Sequence, residues 1–262
     1  MLHAIRSALG PVARVGKEIT YLPTCPSTND LLKAMAEAGA GEGTVLVAGE
    51  QTRGKGRLGR SFTSAAGKGV YLSALLRPQL PPERLLPLMG FTAEAMGRAV
   101  RRVAGAEAGI KWVNDVFCRG KKVCGILTEA SLDLESGGLQ YAIVGIGVNL
   151  YPPAGGFPEE LADIMGSVYT EKPRGYECRS RLAGSILNHF FRFYQNIADK
   201  PFFEDYRKRS FLLGQEIEVL ERGQVRRALA LDLEPDFSLR VREADGTERV
   251  LSSGEVRARV KK

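Results

Sequence analysis

The spacing of apolar segments changes near residue 213, and this change constrains the fold more than any other feature of the sequence. Upstream of it, strand-like apolar runs alternate with longer segments whose apolar residues recur with a helical period. Downstream, short strand-like runs follow one another with turn-forming pairs between them, which is typical of a small β-barrel of SH3-like size. We therefore expect two domains, residues 1–212 and residues 213–262.

The elements of the first domain are expected to begin at residue 18, after an irregular start. Strands are predicted at residues 18–22, 45–49, 70–76 and 139–148, and helices at residues 31–38, 83–104, 176–198 and 201–209. Residues 110–117 and 123–130 are predicted to pair as a hairpin. Pro87 is expected to break or kink the first turn of its helix. The strands of the second domain are predicted at residues 216–220, 226–231, 238–242, 249–251 and 256–260.

Composition excludes several classes of protein. The chain is 262 residues long, 44% hydrophobic and 26% charged, which suits a globular protein rather than a collagenous, disordered or disulfide-rich one. No apolar run approaches the roughly 18 residues that a membrane helix needs, and residues 1–13 form no secretory signal. The four cysteines are irregularly spaced and form no zinc pattern with the two histidines. We expect a cytoplasmic protein with reduced thiols and no membrane partner.

The excess of positive charge is local. The net charge is +7, and residues 53–60 alone hold four cations and no acid. Residues 101–124 hold six cations against two acids, whereas residues 215–262 hold ten of each. Two short stretches therefore account for the basicity, and their partner could be nucleic acid or a small anionic ligand.

The first of these stretches is a glycine-rich loop that nearly fits two phosphate-binding motifs. Residues 49–55 fill seven positions of a P-loop, but Gly56 stands where a magnesium-binding Ser or Thr is needed. Residues 54–59 satisfy Gly-x-Gly-x-x-Gly, but a strand follows instead of a helix, and no acid follows at the distance that a ribose requires. Neither motif is therefore assigned.

More general chemistry still favours an anion at this loop. Glycines let backbone N–H groups approach an anion, and the Arg57 and Arg60 guanidinium groups can each bind two phosphate or carboxylate oxygens. Because four like charges in eight residues repel one another, we expect a loop that is mobile until an anion neutralises it.

Five strings of residues, in order along the chain, resemble the motifs of biotin protein ligases. They are Ser-Thr-Asn at residues 27–29, Gln51 with Gly-Lys-Gly-Arg-Leu-Gly-Arg at residues 54–60, Lys-Trp-Val-Asn-Asp at residues 111–115, Lys-Val-Cys-Gly-Ile-Leu-Thr-Glu at residues 122–129, and Gly-Ile-Gly-Val-Asn at residues 145–149. The long helix and the C-terminal module extend the likeness to the whole chain. The glycine-rich loop alone is modest support, whereas five strings in register are specific.

The resemblance implies an α+β fold: a mixed β-sheet with flanking helices, related to class II aminoacyl-tRNA synthetases, plus a small C-terminal SH3-like β-barrel. It implies a ligase in which the biotin carboxylate attacks the α-phosphate of ATP, giving biotinyl-5′-AMP and pyrophosphate. A lysine of the biotin carboxyl carrier domain of a carboxylase then takes the biotin and releases AMP. Biotin is a substrate, ATP with Mg²⁺ is a co-substrate, no prosthetic group is tightly bound, no residue is assigned to a metal, and a homodimer is allowed.

Some members of that family carry an N-terminal helix-turn-helix domain and act as repressors. Only 26 residues precede Ser27 in this sequence, which are too few for such a domain. We therefore expect a monofunctional ligase without specific DNA binding.

The resemblance assigns a set of biotin contacts whose small hydroxyl and amide groups match a ureido ring, with two N–H donors and one carbonyl acceptor. Ser27 can in addition cap the helix that follows, because it stands three residues before Asp30 as in a capping box. Lys55 stands where many family members have arginine, and it keeps the charge but not the bidentate geometry. The full set is Ser27, Thr28, Asn29, Gln51, Gly54, Lys55, Arg57, Lys122 and Gly125.

The resemblance also assigns catalytic and nucleotide contacts. Because the reaction brings two anions together, the site must supply fixed positive charge, and Lys122 and Arg57 are expected to be catalytic. Lys122 is expected to bridge the biotin carboxylate and the α-phosphate. Phe62 replaces a common tryptophan and is expected to stack on adenine, while Val113 replaces the usual proline of its string. The ATP contacts are Arg57, Arg60, Phe62, Lys111, Asn114, Lys122 and Asn149.

Two alternatives stay open at this point. A lipoate–protein ligase would share the fold, and the depth of the pocket cannot be read from sequence. A non-catalytic nucleic-acid-binding protein would use the basic stretches, although few aromatic residues lie in them for base stacking.

Overall fold

A computed structural model describes residues 1–14, 18–78, 85–133, 137–173, 177–221 and 223–258. Its helices are α1 (Leu2–Ser7), α2 (Pro11–Arg14), α3 (Thr28–Glu37), α4 (Leu86–Ala104), α5 (Cys178–Gln195) and α6 (Phe203–Arg209). Its strands are β1 (Ile19–Leu22), β2 (Val45–Ala48), β3 (Gly69–Leu76), β4 (Gly109–Lys111), β5 (Asp115–Cys118), β6 (Lys121–Leu132), β7 (Leu139–Asn149), β8 (Glu216–Glu221), β9 (Gln224–Leu233), β10 (Leu239–Glu243), β11 (Glu248–Leu251) and β12 (Glu255–Ala258). Parts of the predicted elements, at residues 83–84, 176 and 259–260, lie outside the described residues.

The larger sheet has seven strands in the order β1-β2-β3-β7-β6-β5-β4. Strands β1 and β2 are parallel, whereas every other neighbouring pair is antiparallel. The sheet is therefore mixed, as the α+β expectation requires. Strands β3, β6 and β7 are the long central members, and their registers align the residues that form the site.

Helices cover both faces of this sheet. Alternate residues of each strand point to opposite faces, so Val45 and Val47 pack with α1, α4 and α5 in one buried cluster. Leu46, between them, packs with Leu32 of α3 on the other face. Helix α3 covers only part of its face, and the remainder is open for a site.

The irregular start predicted for the chain is wrong, because residues 2–14 contain α1 and α2. Ile5, Leu9 and Ala13 are buried and recur every four residues, which was the available sequence signal. These helices dock on α5, where the Asn188 amide accepts a hydrogen bond from Gly10 N at 2.7 Å and donates one to the Ala8 carbonyl at 2.9 Å. Helices this short depend on tertiary contacts, which a local pattern does not show.

Two further local predictions concern the start of α4 and residues 110–117. Helix α4 begins at Leu86, so Pro87 lies in its first turn, where the missing N–H has no intrahelical role. The break predicted at Pro87 thus coincides with the start of the helix. Residues 110–117 are not one strand: β4 ends at Lys111, β5 begins at Asp115, and the two pair antiparallel around a turn. The Trp112 indole Nε1 donates to the carbonyl of Phe237 at 2.8 Å, which fixes this turn through a long-range contact.

The C-terminal sheet has five antiparallel strands in the order β11-β10-β9-β8-β12, consistent with an SH3-like module. Its Phe237 packs among Phe202, Phe203 and Tyr206 and approaches α4 so closely that a Cβ on Gly90 would lie 2.3 Å from its ring. One buried cluster contains residues from both sheets. The division into domains at residue 213 stays a prediction.

Two properties of the described residues bear on the environment of the protein. None of their helices is long and apolar enough to cross a membrane. Cys25, Cys118, Cys124 and Cys178 are all free and buried.

Candidate active site

A cavity of about 1280 Å³ lies against the larger sheet, and residues from all five sequence strings line it. The seven-stranded sheet, the start of α3, the glycine-rich loop and the C-terminal sheet each contribute to its wall. The predicted site residues that line it are Ser27, Thr28, Asn29, Gln51, Lys55, Arg57, Arg60, Phe62, Lys111, Asn114, Lys122 and Gly125.

Two glycines on the floor of the cavity leave room for an aromatic ring. Gly125 and Gly147 lie directly opposite each other on β6 and β7. A Cβ on Gly147 would lie 2.6 Å from Phe62 Cε1, and one on Gly125 would lie 3.5 Å from Phe62 Cε2. The Phe62 ring therefore rests on this glycine pair, with its edge toward Tyr71 at 6.4 Å between centroids. Only glycine at position 147 allows the ring to lie there.

One end of the cavity is polar and largely uncharged. Ser27 Oγ accepts a hydrogen bond from Asp30 N at 3.4 Å, so Ser27 caps α3 while still lining the cavity. Gln51 Oε1 accepts from the backbone N–H of Thr28 at 2.8 Å, and Gln51 Nε2 donates to Ser64 Oγ at 2.9 Å. The orientation of the Gln51 amide is thus fixed on both sides.

A buried chain of hydrogen bonds continues from Thr28 across the sheet. Ser73 Oγ lies 2.7 Å from Thr28 Oγ1 and 2.6 Å from Asn29 Oδ1. The Asn29 amide donates to Glu129 Oε2 at 2.6 Å. Space for Asn29 comes from Gly145, because a Cβ there would lie 2.3 Å from Asn29 Oδ1.

The opposite end of the cavity is cationic. The Lys122 ammonium pairs with Asp115 Oδ1 at 2.6 Å, and three-quarters or more of each side chain is shielded from solvent. Arg57 Nη1 donates to Asn114 Oδ1 at 2.9 Å, and the Asn114 amide donates to the Ile126 carbonyl at 3.0 Å. These contacts bring the predicted catalytic residues into one space.

Lys111 lies at the same end in a buried setting. Burial lowers the pKa of Lys111 below that of a free lysine, and the positive charges of Lys122 and Arg257 act in the same direction. The carboxylates of Asp115 and Glu255 oppose this shift of the pKa. The lysine is therefore a poorly solvated cation, which an incoming anion would stabilise.

Three of the four cations at residues 53–60 have partners within the protein, namely Lys55, Arg57 and Arg60. Lys55 binds the Asp30 carboxylate, and this hydrogen bond raises the pKa of Lys55. Arg60 binds both carboxylate oxygens of Glu255, with the shorter contact at 2.6 Å, and Arg57 Nη2 donates to the Gly254 carbonyl at 3.1 Å. The loop therefore bridges α3 and the C-terminal sheet.

Two predicted site residues do not line the large cavity. A Cβ on Gly54 would lie 2.4 Å from the Phe62 carbonyl, so a glycine here lets the two backbone segments of the loop pack closely. Asn149 is buried and lines a separate cavity of about 30 Å³ beside Tyr71 and Lys68, where its Nδ2 has no hydrogen-bond partner among the described residues. Their assignments as ligand contacts stay predictions.

Several residues that shape the site were not among the predicted site residues. Asp115, Glu129 and Glu255 hold Lys122, Asn29 and Arg60, respectively. Ser73 was detectable in principle, because it is the one polar residue within an apolar strand. Glu255 could not be found locally, since its partner is 195 residues away.

The cavity joins two chemically different ends in a single space. A neutral polar group fits the hydroxyl and amide end, while anionic groups fit the end that holds Arg57, Lys111 and Lys122. Much of the basic charge therefore lines a concave site, which is unlike an open basic surface for nucleic acid.

Comparison with known proteins agrees with this arrangement. Residues 21–149 match the model of the biotin/lipoate A/B protein ligase family. The bifunctional ligase/repressor BirA of Bacillus subtilis is 37% identical over 154 residues, which are 59% of this chain and 47% of that protein. The chain thus spans about half the length of the bifunctional relatives that it matches.

Other relatives are matched over almost their whole length. The biotin protein ligase from Aquifex aeolicus, solved in complex with biotin and ATP, superposes with a TM-score of 0.76 at 27% identity, over 94% of this chain and all of that one. The biotin–[acetyl-CoA-carboxylase] ligase of Mycobacterium tuberculosis is 32% identical over 92% of this chain and 88% of that protein. With this identity over most of the mycobacterial ligase, the chain belongs to the biotin/lipoate A/B protein ligase family, among its biotin protein ligases.

Proposed function

We propose that this chain is an ATP-dependent biotin–protein ligase, which activates biotin as biotinyl-5′-AMP and transfers it to a lysine of a biotin carboxyl carrier domain. The observation that carries the proposal is the single cavity with a neutral polar end and a cationic end. The relative from Aquifex aeolicus, solved with biotin and ATP, supports the same pair of substrates. A cytoplasmic location belongs to the proposal, because ATP and carboxylases are found there.

The first step joins two anions. A carboxylate oxygen of biotin attacks the α-phosphorus of ATP, a P–O bond to biotin forms, and the bond to the β-phosphate oxygen breaks to release pyrophosphate. In this proposal Lys122 lies between the two groups, where its compact ammonium contacts one oxygen of each. Arg57 and Lys111 add charge that lowers the repulsion between them.

The second step transfers the biotinyl group. The neutral amine of the carrier lysine attacks the carbonyl carbon of the mixed anhydride, a C–N bond forms, and the C–O bond to AMP breaks. The amine loses one proton overall, and AMP leaves. The same cations that favoured the first step stabilise the phosphate of the departing AMP.

ATP is expected to enter with Mg²⁺. Within the residues that the structure describes, no group of three or more His, Cys, Asp or Glu side chains could hold a metal ion. Phosphate oxygens would supply most ligands of this ion, and the Asp115 carboxylate at the cationic end is a hard oxygen donor that fits it. Bound there, Mg²⁺ would neutralise triphosphate charge.

The test of the function uses the whole chain with ATP, Mg²⁺, biotin and a biotin carboxyl carrier domain. We expect pyrophosphate release that depends on biotin, and a carrier that is afterwards detected by avidin. A parallel reaction with lipoate is expected to release little pyrophosphate. Pyrophosphate release with lipoate but not with biotin would assign the chain to the lipoate ligases, and release with neither would reject the proposal.

A further inference from the structure

The hydrogen-bond chain that runs from Glu129 to Thr28 has a direction. A carboxylate can only accept, so the Asn29 Nδ2 group must face Glu129, at 2.6 Å, and Asn29 Oδ1 must face Ser73. An amide oxygen also only accepts, so the single proton of the Ser73 hydroxyl is used on Asn29 Oδ1 at 2.6 Å.

This direction fixes the role of Thr28. With the Ser73 proton used, Ser73 Oγ can only accept from the Thr28 hydroxyl, 2.7 Å away. Gln51 Oε1 also lies 3.0 Å from that hydroxyl, but donation to it would leave Thr28 Oγ1 and Ser73 Oγ 2.7 Å apart with no proton between them. The Thr28 proton is therefore donated to Ser73, and Thr28 Oγ1 offers the cavity a lone pair.

A second chain reaches the same point from the opposite side. Ser64 Oγ donates to the Phe62 carbonyl at 3.2 Å, so Ser64 can only accept from Gln51 Nε2. Gln51 Oε1 therefore faces Thr28, from whose backbone N–H it accepts at 2.8 Å. Each chain ends on a group that cannot donate, the Glu129 carboxylate or the Phe62 carbonyl, and neither can reverse by itself.

We propose that Glu129 is a positioning residue that sets the direction of this hydrogen-bond chain, so that Thr28 Oγ1 faces the cavity as an acceptor. Such an acceptor complements an N–H donor of a cyclic urea, which a dithiolane ring lacks. Glu129 thereby contributes to the choice between these ring types without contacting the ring. The inference rests on the proposed function and deepens it.

The residues of the hydrogen-bond chain are buried, and this burial explains why the direction of the hydrogen bonds matters. Thr28, Asn29 and Ser73 are each at most 5% exposed, so water does not replace a mismatched hydrogen bond. A Gln at position 129 could donate as well as accept, which would permit the reversed chain. In the reversed chain Ser73 donates to Thr28, and the Thr28 proton competes for Gln51 Oε1 or points at the ligand.

Glu129→Gln is the primary variant, with biotin affinity measured by calorimetry on the whole chain. We expect biotin to bind about 3- to 10-fold more weakly, as for one neutral hydrogen bond that is no longer enforced, with ATP affinity unchanged. Glu37→Gln is the matched control, because it removes the same charge from an exposed site on α3, where Glu37 accepts from the Tyr141 hydroxyl at 3.2 Å. The control is expected to leave biotin affinity unchanged.

The selective readout uses two cyclic carbamate analogues of biotin, in each of which one ureido N–H is replaced by oxygen. The native chain is expected to bind at least one of them far more weakly than biotin, and Glu129→Gln is expected to shrink that difference several-fold. Ser73→Ala interrupts the chain one step nearer the cavity and is expected to give the same pattern. The variant that combines Glu129→Gln with Ser73→Ala should lose little further biotin affinity, because both changes remove the same fixed direction of the hydrogen bonds.

Separate outcomes test the inference and the proposed function. Absence of biotinyl-AMP with the native chain would overturn the proposed function. A native chain that forms biotinyl-AMP, with Glu129→Gln showing unchanged biotin affinity or an unchanged preference for biotin over both carbamates, would overturn this inference alone. If Glu129→Gln does not fold, Ser73→Ala decides by the same two measurements.

Discussion

Arg60 of the glycine-rich loop and Glu255 of β12 form a two-point ion pair that links the larger sheet's site to the C-terminal sheet, with Nη2 and Oε2 2.6 Å apart. Burial alone would raise the pKa of Glu255, but the Arg60 hydrogen bond and neighbouring positive charges lower it overall. The Glu255 carboxylate thus holds the glycine-rich loop before any substrate binds.

The first prediction concerns the mobility of this loop. Glu255→Gln removes the charge that holds Arg60, so trypsin is expected to cleave within residues 53–60 about 2- to 5-fold faster, in line with the small free energy of an exposed ion pair. Glu248→Gln is the control, because it removes an acid of the same sheet that pairs with Arg242 instead. Biotin and ATP together should protect both variants, and equal cleavage of all variants without ligand would refute a holding role for Glu255.

The second prediction concerns catalysis. Lys122→Ala is expected to reduce biotinyl-AMP formation about 100-fold or more, as for loss of a group that stabilises transition-state charge. Because this change leaves the shielded Asp115 carboxylate unpaired, the variant is also made with Asp115→Asn, and it is compared with Asp115→Asn alone, which by itself removes the proposed Mg²⁺ ligand. Lys121→Ala is the neighbouring control, since Lys121 is exposed and donates to the Ala162 carbonyl. Adenylate formation at the native rate in the double variant would show that Lys122 is not needed.

The third prediction concerns the glycine floor. Gly147→Ala introduces a Cβ within 2.6 Å of Phe62 Cε1, so we expect a loss of about 1–3 kcal/mol in the free energy of unfolding, together with weaker biotin binding. Adding Phe62→Leu should recover much of the stability, because the clash is with the ring. Gly41→Ala, which meets no atom within 4 Å, is the control in denaturant unfolding. A Gly147→Ala variant as stable as the native chain would contradict this packing.

The fourth prediction concerns alkaline pH. Burial lowers the pKa of Lys111, and an anion binds best to the protonated form, so ATP affinity should be full below this pKa and should fall as pH rises through it. The fall is expected at a lower pH than for a free lysine. Lys111→Arg keeps its charge at all these pH values. Its ATP affinity should therefore stay level where that of the native chain declines, and parallel declines would exclude Lys111 as the titrating group.

Local pattern was sufficient for much of the fold. The apolar runs of β3 and β7 and the period of α5 are dictated within each segment. Both strands were predicted to within one residue at each end, whereas the predicted helix ran three residues beyond the end of α5 at Gln195. The turn at residues 112–114 was read as strand because its cause is distant: the Trp112 indole binds a carbonyl 125 residues away. Helices α1 and α2 were missed for a related reason, since their docking on α5 is not visible locally.

The same distinction between local patterns and distant contacts applies to the residues of the site. Residues that act where a motif is contiguous, such as Arg57 and Lys122, were predicted and do meet in one cavity. Residues that act through a partner were not, because Glu129 of β6 meets Asn29 of α3 across 100 positions, and only the packing of the helix on the sheet reveals the pairing. Asn149 shows the reverse, since a motif position alone does not say which of two neighbouring cavities a side chain enters.

The pairing of Lys122 with Asp115 has a consequence for how a substrate would be received. The ammonium sits 2.6 Å from a carboxylate, so most of its hydration has been given up during folding rather than on binding. A carboxylate ligand would then replace Asp115 as the counter-ion of Lys122. Before binding, the Asp115 carboxylate therefore occupies the position beside Lys122 that the biotin carboxylate would take.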